Sequence, residues 1–418
     1  MKEKLLNVKT LIIENRKVME NYFFMTILQI LSSLFYFLIY PFLIRTLGAE
    51  SYGLYIFATS VVTYFITFIG NGFDFPGVKA IATNGNDLEK KSHVLSCIFT
   101  AKMYLQFVST IVFTLIILTI PALRENYVIY VICFLQTLSG IFFPQWYFQG
   151  VQRMKIVTYI QLLFKILSLP FIFIMIHSPK DLWIFALITT LVSLLGAITA
   201  ALIVRFNEGI KLNWVSFKEV KIWYKEAFPF FLSSSLGIVK EQSITIIIGS
   251  FFGMRDVAIY DLANKIILIP RTLLVNVNLA LFPKIVANVK PQQIKKIIRY
   301  EALVGLSVIA LIAIFGRWIV LIMGGETMLD SYPVSVILSV VVLVWLVVGA
   351  FISFVFIPQN KYKYVTNNQI IALSSFALYS LIGFLITKSI YVLVLSIALS
   401  GLTEIAYCWY LTKREKLL

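Results

Sequence analysis

Six basic side chains stand inside otherwise apolar stretches of this 418-residue chain: Lys102, Lys165, Lys240, Lys265, Arg271 and Arg317. On an insertion scale, a Lys or Arg at the centre of a membrane-crossing helix costs about 2.5–3.5 kcal/mol. Six facing lipid would together cost on the order of 15–20 kcal/mol, comparable with a whole domain's stability. They must therefore snorkel, pair or face water. Lys240 and Glu241 are adjacent near the middle of one apolar window. In the next window Asp261 and Lys265 are four residues apart, a spacing that lets them pair along one helix face. Arg271 follows Pro270, and Asn276 and Asn278 come soon after. A proline here frees a backbone carbonyl and kinks the helix, which is tolerable beside a wet cavity. The expected site is a cationic, water-filled chamber. Arg271, Lys240 and Lys265 are its anion-attracting groups, with Lys102 and Lys165 as further candidates. A structural ion-pair cluster is the alternative, and under it the groups still face inward. Lys and Arg bind phosphate through charge and directed hydrogen bonds, so such a chamber selects an anionic cargo.

The remaining polar groups are placed less firmly. Lys102 and Lys165 lie about nine residues from the expected cytoplasmic ends of their windows, within snorkelling reach of the headgroups. Arg317, near the outer end of its window, reads as an interfacial anchor. Asp74, Glu241, Asp261 and Glu404 are candidates for ion coupling or for counter-ions to inward cations. Tyr36, Tyr40, Tyr64, Tyr147 and Tyr159 are able to stack on sugar faces, although interfacial belts and packing explain most of them.

The elements that position these groups are long apolar helices. The chain is 60% hydrophobic, 15% aromatic and 13% charged, with mean hydropathy +0.89. A soluble domain of this size needs a polar exterior that this composition does not supply. At about 20 residues per crossing, the windows allow roughly twelve helices. They fall near 21–44, 53–75, 93–120, 127–148, 156–177, 182–204, 227–252, 257–282, 300–323, 333–357, 366–387 and 390–411. The alternating ten-residue pattern of a membrane barrel is absent. The net charge of +16 does not mark a nucleic-acid binder. With the N-terminus placed in the cytoplasm, about 25 of the 36 Lys and Arg fall in cytoplasmic segments and about five in outer loops, the positive-inside bias. Both termini, with Lys2, Lys4, Lys9, Arg16 and Lys17 at one end and Lys413, Arg414 and Lys416 at the other, are expected in the cytoplasm. The first apolar run has no small-residue cleavage site, so no removable signal peptide is expected. Cys97, Cys133 and Cys408 fall within the windows and read as small core residues.

Loops are short. The longest connector, 205–226, is basic and amphipathic: Trp214, Phe217, Val220 and Trp223 recur with Lys218, Lys221 and Lys225 between them. That pattern suits a helix on the cytoplasmic lipid surface or a solvated linker. A similar basic connector spans 284–299. The linker divides an N-terminal six-helix half, 1–204, from a C-terminal half, 227–418. The halves resemble each other weakly. Gly48, Tyr55 and Ala58 stand opposite Gly253, Tyr260 and Ala263, Phe75-Pro76 opposite Phe282-Pro283, and Lys155-Ile156-Val157-Thr158 opposite Lys363-Tyr364-Val365-Thr366, at offsets of about 205 to 208. Each half has the same sidedness, so the repeat is parallel, which places a substrate path between the halves near the midplane. The expected fold is all-α and polytopic, two six-helix halves around a central cavity.

Enzyme chemistry finds little purchase. There is no P-loop. Only His93 and His177 occur, both near helix ends, and neither has a nucleophile or metal-ligand partner at a recognisable spacing. No loop is large enough to hold an acceptor and catalytic acids; Glu50, Glu125, Asp181, Asp256, Glu326 and Asp330 are scattered over short ones. Neither a cofactor nor a metal site is expected.

Tyr40-Pro41, Arg45-Thr46-Leu47-Gly48, Tyr52-Gly53 and Asn71-Gly72-Phe73 resemble the first-loop and second-helix signatures of bacterial polysaccharide-unit flippases. The run from Phe143 to Gly150 (FPQWYFQG), followed by Met154-Lys155, is similar to that family's fourth-loop signature. The resemblance covers nearly the whole length. It implies the multidrug/oligosaccharidyl-lipid/polysaccharide exporter superfamily and, within it, the O-antigen flippases. It further implies a bacterial inner membrane and an undecaprenyl-diphosphate-linked oligosaccharide moved by alternating access. Coupling to H+ or Na+ and association with polysaccharide polymerase and chain-length machinery are expectations of the same kind. Arg271, Lys240 and Lys265 would then attract the diphosphate. A peptidoglycan or teichoic acid precursor flippase, or a cation-coupled drug exporter, is the alternative.

Overall fold

The structure, a computed structural model, describes residues 16–85, 87–286, 291–359 and 361–418. Lys2, Lys4, Lys9, the side chains of Arg16, Lys17, Asn276 and Asn278, and residues 287–290 of the second basic connector lie outside the described residues. Among those described, the chain is helical and no strand occurs.

The first helix, α1 (Arg16–Gly70), has 55 residues. At 1.5 Å per residue that is far longer than one bilayer crossing needs. It divides at Gly48, whose backbone (φ 76°, ψ 162°) interrupts the helical run in a region that glycine adopts without strain. Five residues on, a Cβ at Gly53 would sit 1.7 Å from the Met254 carbonyl oxygen. Both glycines of the first-loop signature are thus explained by backbone geometry. Gly53→Ala forces two backbones apart, and overpacking of this kind costs about 1–3 kcal/mol or more. We expect Gly53→Ala to lower the amount of folded protein in the membrane fraction and its melting temperature, with Gly140→Ala, which meets open space, unchanged.

After α1 come α2 (Asp74–Thr83) and α3 (Leu88–Thr119). Asp87 caps α3 by accepting the Lys90 amide at 3.1 Å. The short α4 (Pro121–Arg124) precedes a broken crossing, α5 (Tyr127–Phe134) and α6 (Gln136–Phe142), which ends ahead of Pro144. The turn-length α7 (Gln145–Gly150) leads into α8 (Met154–Met175) and α9 (Leu182–Phe206). Residues 207–216 are irregular. Helix α10 (Phe217–Phe251) then starts inside the amphipathic connector and continues into the seventh crossing, bending by 51° between Leu232 and Ser234. The rest are α11 (Met254–Val286), α12 (Pro291–Gly324), α13 (Ser331–Leu338), α14 (Val340–Ala350), a π-helical turn at Phe351–Phe356, α15 (Tyr362–Ile386) and α16 (Ile390–Arg414).

Among the described residues nine helical stretches are long and apolar enough to cross a membrane, or ten with the bent pair in α10 taken as one span. The first of these, Phe23–Thr83, contains the break at Gly48 and so holds two crossings. Helix α11, at 33 residues, is also long enough to cross. Counted by length, these additions make twelve helical stretches among the described residues, the number expected from hydropathy. The exteriors are what lipid requires: Leu34, Leu38, Phe107, Leu118, Ile174, Ile322 and Leu385 are all exposed.

The chain's contacts resolve into two units. One takes in the chain up to Ile39 and Phe57–Ile246; the other takes in Tyr40–Ile56 and Ile247–Leu418. In the first, Phe73, Ile81, Trp146, Tyr147, Phe148 and Val220 are buried together. The centre of the second is Val344, Val347, Phe351, Phe354, Phe356 and Cys408.

Candidate functional site

Two charged residues of the second unit, Asp261 and Lys265, form a compact constellation with Tyr40 and Tyr52. Lys265 donates to both carboxylate oxygens of Asp261, at 2.8 and 2.7 Å. The four-residue spacing on α11 lets the two side chains meet, as the sequence predicted. Tyr52 donates its hydroxyl to Asp261 Oδ2 at 3.2 Å. The Lys265 ammonium also lies 5.9 Å from the centre of the Tyr40 ring, whose hydroxyl donates to the Ala258 carbonyl at 3.4 Å. Tyr40 and Tyr52 meet edge to face, 5.1 Å between centroids. The pair is largely shielded from solvent, with side-chain exposures of 17% and 13%. Further along α11, the Arg271 guanidinium lies over the Trp345 ring at 4.8 Å. An aromatic face holds a cation in place without neutralising it. Lys265 is thus charge-compensated by Asp261, and the Arg271 guanidinium rests on a ring.

On α16 the buried Glu404 accepts from Asn368 Nδ2 of α15 at 3.2 Å, and Cys408 donates to Asn368 Oδ1 at 3.5 Å. The carboxyl the sequence left open is therefore set into a polar contact between two helices.

In the first unit Lys102 is buried, donating to the Gly140 carbonyl at 3.3 Å and lying 3.8 Å from Asp74 Oδ1. Asp74 is exposed at the start of α2. Lys165 donates to Ser32 Oγ at 2.6 Å, bridging α8 and α1. Both ammonium groups thus end on polar partners from other helices; Asp74 is one of the candidate counter-ions, whereas the Gly140 carbonyl had no signal in the sequence. Lys240 is half-buried in α10 and its neighbour Glu241 is exposed. Arg317 is exposed near the end of α12.

The fourth-loop signature proves to be a packing element. Trp146, Tyr147 and Phe148 of α7 are buried. The Tyr147 hydroxyl donates to Glu208 Oε2 at 3.3 Å, and Glu208 also holds Arg153. Tyr40, likewise buried, serves the Lys265 constellation, and Tyr64 shares a 2.9 Å hydrogen bond with Ser243. Tyr36 and Tyr159 are exposed. Tyr147→Phe removes one hydrogen bond to a carboxylate, worth about 1.5–3 kcal/mol. We expect a melting temperature lower by a few degrees in the purified protein, and Glu208→Gln, which also loses the Arg153 ion pair, to fall further.

One constellation contradicts the sequence reading. His93 was given no partner, yet its Nε2 lies 3.7 Å from Cys97 Sγ and 3.4 Å from Glu219 Oε2. The His93–Cys97 spacing of four was legible as one helix face. Glu219 arrives from 122 residues further on (219 − 97), and nothing local announced it.

Residues 18–289, more than half of the chain, match the family described as polysaccharide biosynthesis protein. A protein of Escherichia coli K12 named as an O-antigen transporter is 27% identical over 279 residues, covering 66% of this chain and 67% of that protein. One of Shigella dysenteriae with the same name is 24% identical, covering 83% and 88%. Among solved structures, the lipid II flippase MurJ in an inward closed conformation is similar with a TM-score of 0.71 at 14% identity, over 94% of this chain and 86% of that one. An inward-facing multidrug resistance MATE transporter of the MOP superfamily gives 0.67 at 14% identity, over 94% and 95%. These two share the helical fold.

Proposed function

The chain belongs to the polysaccharide biosynthesis protein family, and from that premise we propose that it is a flippase for an undecaprenyl-diphosphate-linked oligosaccharide. It is a multi-pass membrane transport protein, not an enzyme, and two of its relatives carry the name O-antigen transporter. In this reading the diphosphate and sugars travel through a cationic lumen of the bacterial inner membrane while the polyprenyl tail stays in lipid. The halves, 1–204 and 227–418, alternate access, and both termini are cytoplasmic. Arg271 engages the diphosphate first, with Lys240 and Lys265 as further attraction points and Lys102 and Lys165 lining the first half. Asp261, Glu404, Glu241 and Asp74 are the groups through which H+ or Na+ would couple, and polymerase and chain-length proteins would take the product.

The observation that supports this most is the Arg271 guanidinium lying over the Trp345 ring within the span of α11. A guanidinium there is expensive, and a diphosphate is a ligand that offsets the expense. The test is complementation in a bacterium lacking its own flippase but making a matched repeat unit. Restored surface polysaccharide at normal protein level is the expected result. Resistance to cationic dyes with no polysaccharide restored would instead favour a drug exporter.

A further inference from the structure

We propose that His93, Cys97 and Glu219 form a binding site for a borderline-soft divalent metal ion, Zn2+ being the natural occupant, which fastens the first turn of α10 to α3. One ligand atom from each lies within 4.8 Å of the other two. The ligand types are an imidazole nitrogen, a thiolate sulfur and a carboxylate oxygen, the donor set that zinc accepts. For zinc bonds of about 2.0–2.3 Å at tetrahedral angles, adjacent donors stand roughly 3.4–3.6 Å apart. The sulfur–nitrogen and nitrogen–oxygen separations here are 3.7 and 3.4 Å. Two of the three donor separations thus already stand close to the spacing a bound ion imposes, and the third, sulfur to carboxylate oxygen, lies within 4.8 Å.

The site is also held rigidly from both sides. His93 and Cys97 are one turn apart on α3, so their side chains share a face. The connector is strapped along that same face. Ser96 Oγ accepts the Asn213 amide at 3.0 Å, Thr100 Oγ1 accepts that of Val215 at 3.4 Å, and the Tyr224 hydroxyl donates to the Ala101 carbonyl at 2.7 Å. Ser216 donates to Glu219 Oε1 at 2.6 Å, fixing the carboxylate and leaving Oε2 toward His93. A ligating carboxylate is normally steadied by an outer hydrogen bond of this kind. Access comes from an open cleft of about 640 Å³ lined by His93, Ser96, Asn213 and Val215 together with Asp87 and Glu89. Lys90, which also lines the cleft, is paired with Asp87, Glu89 adds a carboxylate, and solvent there is free to supply a fourth ligand. On binding, Cys97 gives up its thiol proton to water and the sulfur becomes the third protein ligand. The notion that all three cysteines serve only as small core residues is then incomplete for Cys97.

The test is a titration of the full-length, detergent-purified, metal-stripped protein with Co2+, followed by Zn2+ displacement. The expected result is one equivalent of Co2+ with visible bands of tetrahedral intensity and a near-ultraviolet thiolate-to-cobalt band, both erased by Zn2+. Cys97→Ser should abolish the thiolate band. His93→Gln and Glu219→Gln should each weaken binding by roughly tenfold or more. His93 and Glu219 are half-exposed, so these two variants are expected to fold, and a melting curve checks that they do. Zn2+ should also slow hydrogen exchange across 207–226 in the natural protein but not in Glu219→Gln. Equal Co2+ affinity in the natural and variant proteins, or a spectrum without a thiolate band, would overturn the proposal.

Discussion

Arg271→Ala is expected to cut export of surface polysaccharide by roughly ten- to a hundredfold at equal protein level, the largest functional effect of any single substitution proposed. A charge-assisted hydrogen bond is worth about 1.5–3 kcal/mol, and 1.4 kcal/mol is a factor of ten. Arg271→Lys keeps the charge but not the plane that lies on Trp345. A Lys ammonium offers a point charge in place of a planar, bidentate fork, so export should fall to an intermediate level. Trp345→Leu should resemble Arg271→Lys, because the guanidinium keeps its charge and loses its platform, worth about 0.5–2 kcal/mol. Export is read by surface polysaccharide staining against membrane protein quantified in the same cells. Full export from Arg271→Ala and Lys240→Ala alike would remove the cationic path from the account.

The second large effect concerns the Asp261–Lys265 pair. Deleting one partner removes the opposite charge from the other in a largely shielded setting, which costs about 3–5 kcal/mol for buried pairs. We therefore expect Asp261→Asn and Lys265→Met each to lower the melting temperature of the purified protein sharply. The double variant should recover most of that loss, because a neutral pair of similar shape has no uncompensated charge. Tyr52 still has an oxygen to donate to after Asp261→Asn, so its hydroxyl is not orphaned. Restored stability with export still absent would place the pair in ion coupling, whereas restored stability and export together would make it structural.

Local spacing explains what was readable in advance. The twelve apolar windows map onto α1 to α16 because crossing length is a property of a contiguous stretch. Asp261 and Lys265 meet because four residues is one helical turn. The Gly48 and Gly53 signature was readable as a pattern, but its reason, a backbone break and the approach of Met254, is a tertiary fact. Gly140 and Ser32, which accept from Lys102 and Lys165, lie on other helices and carry no charge that would flag them, whereas Asp74, the charged neighbour of Lys102, stood among the candidate counter-ions. Tyr147 had the composition of a sugar platform and turned out to be core, since hydropathy does not separate an aromatic that faces a cargo from one that faces its neighbours. The connector was readable as amphipathic, but its continuation as helix from Phe217 into α10 depends on the docking of Val220 and Ala227 in the first unit's core.

Reconstituted vesicles containing undecaprenyl-diphosphate-linked oligosaccharide in one leaflet give the most direct measurement of whether intramembrane cations move this cargo. Appearance of the saccharide in the opposite leaflet is read by a membrane-impermeant lectin or glycosidase. Rapid transfer by the natural protein, slowed at least tenfold in Arg271→Ala and further in Arg271→Ala with Lys240→Ala, is the predicted result. Transfer at the natural rate by the double variant, or none above empty vesicles by the natural protein with its matched saccharide, would contradict it.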